Sequence, residues 1–79
     1  MKAIPLSELE PATVARVTGF QVETSDTIRL KAMGICIGRQ VQLIQAGDPL
    51  ILRVLGTRVG ISARLAAGIG VVAVVEEPS

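Results

Sequence analysis

Two short apolar runs separated by a tight turn constrain this chain more than any other feature. As a strand, LILRVL at 50–55 has one face made of Leu50, Leu52 and Val54 and another made of Ile51, Arg53 and Leu55. RVGI at 58–61 likewise places Val59 and Ile61 on a common face. Between them, Gly56 and Thr57 make a two-residue loop with glycine first, which is typical of a type II′ hairpin. Because every second residue of a strand faces the same side, this stretch predicts an antiparallel hairpin with one buried face.

Three further segments predict strands. In the first, TVARVTGFQV at 13–22, apolar and polar residues alternate over much of the segment. The second, QVQLIQ at 40–45, places Val41 and Leu43 on one face, and the third, IGVVAVV at 69–75, is rich in β-branched residues. Together with the hairpin they make about five short antiparallel strands. Closing such strands into a barrel removes the exposed edges that invite aggregation. We therefore expect a mainly β protein, a small barrel formed by a single domain over residues 1–79.

Short helical segments are expected between these strands. SDTIRLKAMG at 25–34 is typical of one helix between the first two strands, capped by Thr24 or Ser25 and ended by a left-handed Gly34. Its apolar residues, which are expected to face the sheet, are Ile28, Leu30, Ala32 and Met33. Ser7 and Ser62 are expected to cap single helical turns, the second of them directly before the last strand.

The composition argues against several classes of function. The net charge is only +1 and the six arginines are scattered, whereas nucleic-acid binding usually needs a clustered basic stripe. Phe20 is the one aromatic residue, so a base-stacking platform is missing. Cys36 is the one cysteine, which predicts a protein in a reducing compartment. The sequence also shows no leader pattern and no uncharged run longer than 65–75, so we expect a cytoplasmic protein without membrane insertion.

Reactive side chains are also scarce. The chain has no histidine, and Cys36 therefore has no base to activate it, so we predict no catalytic residue, no cofactor and no enzymatic activity. GICIGRQ at 34–40 lacks the Gly-Lys-Ser/Thr of a phosphate-binding loop. Glu8 with Glu10, and Glu76 with Glu77, each lack a third ligand, so we predict no tight metal site. Weak binding of a transition metal ion stays open.

Docking to a partner protein is the function that remains. Two surface patches are candidates, one on the outer face of the hairpin and one on the helix: Ile51, Arg53 and Leu55, and Ile28, Arg29 and Lys31. The alternatives are that the helix or the N-terminal turn covers the first patch, and that the second is an ordinary solvated face. A weak homodimer is also open, because an aliphatic chain of this size exposes some apolar surface.

Three stretches resemble the domains of the FeoA family. LSELEPATVARVTGF resembles their opening, IRLKAMGICIGRQVQLI their helix–glycine–strand segment, and GDPLILRVLGTRVGISARLAAGIGV their hairpin with the terminal helix and strand. The resemblance spans residues 6–75. Ala12 stands where that family usually has glycine.

The resemblance implies an SH3-like barrel and a role in ferrous iron transport. The implied partner is an FeoB-like transporter of the membrane, which carries a cytosolic GTP-binding domain. The same barrel also occurs fused to iron-dependent repressors, so the alternative is a stand-alone regulatory barrel that binds a protein segment, such as a proline-rich stretch.

Overall fold

The structure is a computed structural model that describes residues 2–74, and six strands dominate it. The strands are β1 (Ile4–Pro5), β2 (Val14–Phe20), β3 (Gln40–Gln45), β4 (Leu50–Val54), β5 (Thr57–Ile61) and β6 (Ile69–Ala73). Two α-helices, α1 (Thr24–Ala32) and α2 (Ala63–Ala66), and a 3₁₀ turn (Leu6–Glu8) complete the described part. The expected helix between two strands and the helical turn before the last strand are both confirmed.

One antiparallel sheet contains all six strands, in the order β1-β6-β2-β3-β4-β5. The predicted closed barrel of five strands is therefore wrong in two respects. Ile4 and Pro5 add a short strand beside β6, where the sequence offered too few residues for a visible alternation. The sheet is also open, because β1 and β5 lie at opposite ends of the strand order and are not paired with each other. Bulges in β2 and β3 bend those strands around the core.

The core is entirely aliphatic, as the near absence of aromatic residues requires. Each long strand contributes alternate residues to it, and no polar side chain among the described residues is buried. The buried residues come from both strands of the hairpin, from β2, β3 and β6, and from the helical segments and the residues just after them. They are Leu6, Leu9, Ala15, Val17, Leu30, Ile35, Val41, Leu43, Leu50, Leu52, Val54, Ile61, Ala66, Ile69 and Val71. One face of the hairpin thus packs in the core, and the other face points outward, as the sequence pattern predicts.

The hairpin turn lies one residue earlier than the sequence suggests. Val54 pairs with Thr57, so the two loop residues are Leu55 and Gly56. Both have positive φ, 53° and 76°, which is the signature of a type I′ turn and not of type II′. Leu55 consequently belongs to the turn and not to the outer face of β4.

Gly34 ends α1 as predicted, with a φ of +91°. The Gly34 N–H donates to the Lys31 carbonyl and the Ile35 N–H to the Leu30 carbonyl, both at 2.9 Å, which together form a Schellman motif. The predicted cap at the other end is wrong: the helix begins after Glu23, with no capping bond from a side chain.

The first turn of α2 is capped from two directions. The Leu65 N–H donates to Ser62 Oγ at 3.2 Å, which confirms the predicted Ser62 cap. The Ala63 N–H donates to Asp48 Oδ1 at 3.1 Å, so the loop before β4 is tied to the residues that follow β5. The 3₁₀ turn, by contrast, follows Pro5, and Ser7 does not cap it.

Candidate docking surface

The outer face of the hairpin carries two of the predicted partner residues. Because the core side of β4 buries Leu52 completely, the intervening Ile51 and Arg53 point away from the core. Ile51 is half-buried and Arg53 is exposed. Because Arg53 is exposed, neither the helix nor the N-terminal turn buries it. Leu55, in the turn, is 69% exposed.

The helix patch is exposed as well. Leu30 is the fully buried residue of α1, and Met33 packs against the core beside it. Ile28 is 63% exposed, so the expectation that it belongs to the core-facing stripe is wrong. Arg29 and Lys31 are exposed too. A nine-residue helix presents only about two turns to the sheet, which leaves room for few buried positions.

A groove lies between the end of α1 and the hairpin turn. Lys31 and Leu55 both line it, whereas the other four predicted residues do not. A Cβ built on Gly34 would lie 3.1 Å from Val54 Cγ1 and 3.2 Å from Leu55 Cδ1, which shows how closely the helix end approaches the turn. Arg39 also lines the groove, and none of its lining residues is acidic. The groove is therefore lined mostly by uncharged residues, with Lys31 and Arg39 as its two charged ones.

Arg58 is an exposed residue that the sequence patterns did not single out. It lies directly opposite Arg53 across the hairpin. The predicted turn at Gly56–Thr57 would instead have placed Arg58 opposite Leu55. Ile37, 63% exposed, was also overlooked. The alternation of Arg58 with the inward-facing Val59 was the available signal.

Reactive groups give no sign of a further site within residues 2–74. No three His, Cys, Asp or Glu side chains of this part lie close enough together to hold a metal ion. Glu8 and Glu10 are exposed, while Glu76 and Glu77 lie outside the described residues. Cys36 is half-buried and lines the groove. No helix in this part is long and apolar enough to span a bilayer.

Several known proteins share this architecture. A family model described as FeoA domain matches residues 4–73. The crystal structure of an iron uptake regulatory protein (FeoA) is 27% identical and superposes with a TM-score of 0.86, over 94% of this chain and 100% of that one. The solution structure of an FeoA protein from Chlorobium tepidum is 26% identical with a TM-score of 0.86, over 95% of this chain and 74% of that one.

A manganese-dependent transcriptional repressor has the same fold in one part of its chain. It is 13% identical with a TM-score of 0.84, and the match covers 91% of this chain and 42% of the repressor. At that identity the likeness concerns the fold alone. It supports the SH3-like class in the form of an open, mainly β sheet. A comparison with curated proteins gives no significant match.

Proposed function

The chain belongs to the FeoA family, and from that premise we propose that it is a small cytosolic accessory protein that docks on an FeoB-like ferrous iron transporter. The docking site on the transporter would be its cytosolic GTP-binding part, and the effect would be to support Fe²⁺ uptake. The observation that carries the proposal is the match of the FeoA model to residues 4–73, nearly the whole chain. The protein would perform no covalent chemistry of its own.

The surface chemistry supports docking as the mode of action. Leu55 and Ile28 are large apolar side chains that remain mostly exposed, and cationic residues flank both of them. Apolar anchors surrounded by a charged rim are typical of protein interfaces. We propose that the contact surface comprises the six residues predicted from the sequence: Ile51, Arg53, Leu55, Ile28, Arg29 and Lys31.

A binding titration with substituted proteins tests this proposal. The purified protein is titrated by calorimetry against the cytosolic GTP-binding domain of the transporter from the same organism. Replacing Leu55 by Asn removes the exposed anchor but keeps a residue that tolerates positive φ. We expect this variant to bind about tenfold more weakly, as for a moderate interface hot spot.

A matched control separates docking from a general charge effect. Arg29→Glu reverses a charge inside the proposed surface, whereas Arg64→Glu reverses an exposed charge on α2, outside it. The first is expected to weaken binding and the second to leave it unchanged. Two results together would contradict the proposal: no detectable binding of the unsubstituted protein at high micromolar concentration, and unchanged Fe²⁺ uptake when its gene is deleted.

We propose, as a second candidate function, a regulatory module that binds a protein segment such as a proline-rich stretch. What supports it is that the same fold forms one part of a repressor chain. A labelled proline-rich peptide distinguishes the two candidates: binding of that peptide, without binding of the transporter domain, favours the regulatory module.

A further inference from the structure

The long free edge of the sheet is β5. Of the two edge strands in the described part of the chain, β1 has only two residues and the second is Pro5, which has no N–H to donate. β5 has five residues, and its pairing is with β4 on one side only. A strand with an unpaired side is a ready template for another extended chain.

Two residues of β5 direct their backbone groups away from β4. A two-residue hairpin loop is closed by a hydrogen-bonded pair, which the register makes Val54 and Thr57. In an antiparallel ladder, bonded and non-bonded pairs then alternate. Arg58 and Gly60 consequently belong to non-bonded pairs, and their N–H and C=O groups point outward. Neither residue takes part in the backbone hydrogen bonds that residues 2–74 form outside their helices and strands. Both residues are exposed.

The charge beside this edge is of one sign. The charged residues in the six strands are Arg16, Arg53 and Arg58, and no strand contains Asp or Glu. Arg53 and Arg58 are direct cross-strand partners, an arrangement of like charges that destabilises a sheet. The acidic residues of the described part lie in helices, turns and loops: Glu8, Glu10, Glu23, Asp26 and Asp48. The edge therefore offers backbone pairing next to a cationic pair that its own sheet does not neutralise.

We propose that β5 is a strand-addition site for an extended acidic segment of a partner protein. The segment would exchange backbone hydrogen bonds with Arg58 and Gly60. A carboxylate opposite Arg58 would lie on the outer face of the sheet and neutralise both arginines. The residue next to that carboxylate would point to the other face, where Val59 lines the groove described above. The edge would bind such a segment whether or not the partner is a transporter.

A second copy of this chain is a poorer occupant of the same edge. Pairing β5 with β5 of another molecule would bring Arg53 and Arg58 of both copies into one band without a counter-charge in the strands. Coulomb repulsion opposes that arrangement, whereas an acidic segment is attracted to it. The glycine at position 60 fits either occupant, so charge decides between them.

NMR titration with synthetic peptides tests the site. The probe is a capped hexapeptide of alternating glutamate and valine, and its control replaces each glutamate with lysine. We expect the glutamate peptide to shift and protect the amides of Arg58 and Gly60, and the lysine peptide to leave them unchanged. In the double variant Arg53→Glu and Arg58→Glu, the preference should reverse, with the glutamate peptide about tenfold weaker because two exposed ion pairs are lost.

Two further variants test separately the effect of charge and the effect of backbone pairing. Arg64→Glu carries a charge reversal on α2, and it should bind the glutamate peptide like the unsubstituted protein. Gly60→Pro removes an outward N–H without removing a donor to β4, and it should abolish binding even though both arginines remain. Glutamate-peptide binding that survives the double charge reversal overturns the proposal, as do shifts confined to other strands. So does a dimer whose Arg58 and Gly60 amides are protected without peptide, since the edge would then be self-paired.

Discussion

Ala12 has a backbone conformation that alanine rarely adopts, with a φ of +71°. Two hydrogen bonds hold it there: the Ala12 N–H donates to the Leu43 carbonyl at 2.7 Å, and Gln42 Nε2 donates to the Ala12 carbonyl at 3.2 Å. The side chain itself is exposed. Ala12→Gly should therefore relieve backbone strain while removing almost no packing.

The size of the effect follows from two opposing terms. A left-handed conformation costs an L-residue about 1–2 kcal/mol, which glycine does not pay. Glycine adds about 0.4–1 kcal/mol of unfolded-state entropy, which acts in the opposite direction. The net stabilisation is about 0.5–1 kcal/mol, which raises the Tm of a domain this small by about 3–6 °C.

Thermal unfolding followed by circular dichroism measures this change directly. Ala67→Gly is the matched control, because Ala67 is also exposed but has a φ of −63°. There glycine brings only the entropic cost, so the Tm should fall. If Ala12→Gly lowers the Tm as much as Ala67→Gly does, the strain at position 12 is not real and the reasoning is refuted.

Three other substitutions have expected outcomes that urea unfolding can check. Leu52→Ala removes a fully buried side chain and should cost about 2–5 kcal/mol, enough to unfold a domain of modest stability; an unchanged midpoint would contradict its place in the core. Ser62→Ala removes the oxygen that accepts from the Leu65 N–H and should cost about 0.5–2 kcal/mol. Gly68→Ala would place a Cβ 2.8 Å from the Gln21 carbonyl oxygen, so it should destabilise the protein markedly, and a neutral result would show that the two segments are not in close contact.

Elements defined by neighbouring residues were predictable. Gly34 at the end of α1 and Ser62 at the start of α2 act through hydrogen bonds to residues within five positions. The outward orientation of Arg53 likewise follows from alternation along its own strand. The short strand β1 was not predictable, because two residues that include a proline carry no periodic signal.

The register of the hairpin could not be predicted from the alternation of residues. A turn at Leu55–Gly56 and a turn at Gly56–Thr57 differ by a two-residue shift in pairing, and a shift of two keeps every side chain on the same face. Alternation is therefore equally satisfied by both registers. The register in the structure pairs Leu50 with Ile61 and buries both of them, and it is also the one that places Arg53 opposite Arg58.

The sequence by itself determined a mainly β protein with an aliphatic core, one short helix between strands and no histidine. These properties depend on composition and on interactions between residues that are close along the chain. Only the tertiary structure decided the strand order, the open edge at β5 and the positive φ of Ala12. Those properties depend on contacts between residues far apart in the sequence, whose free energy is shared by the whole core and is not encoded in any one segment.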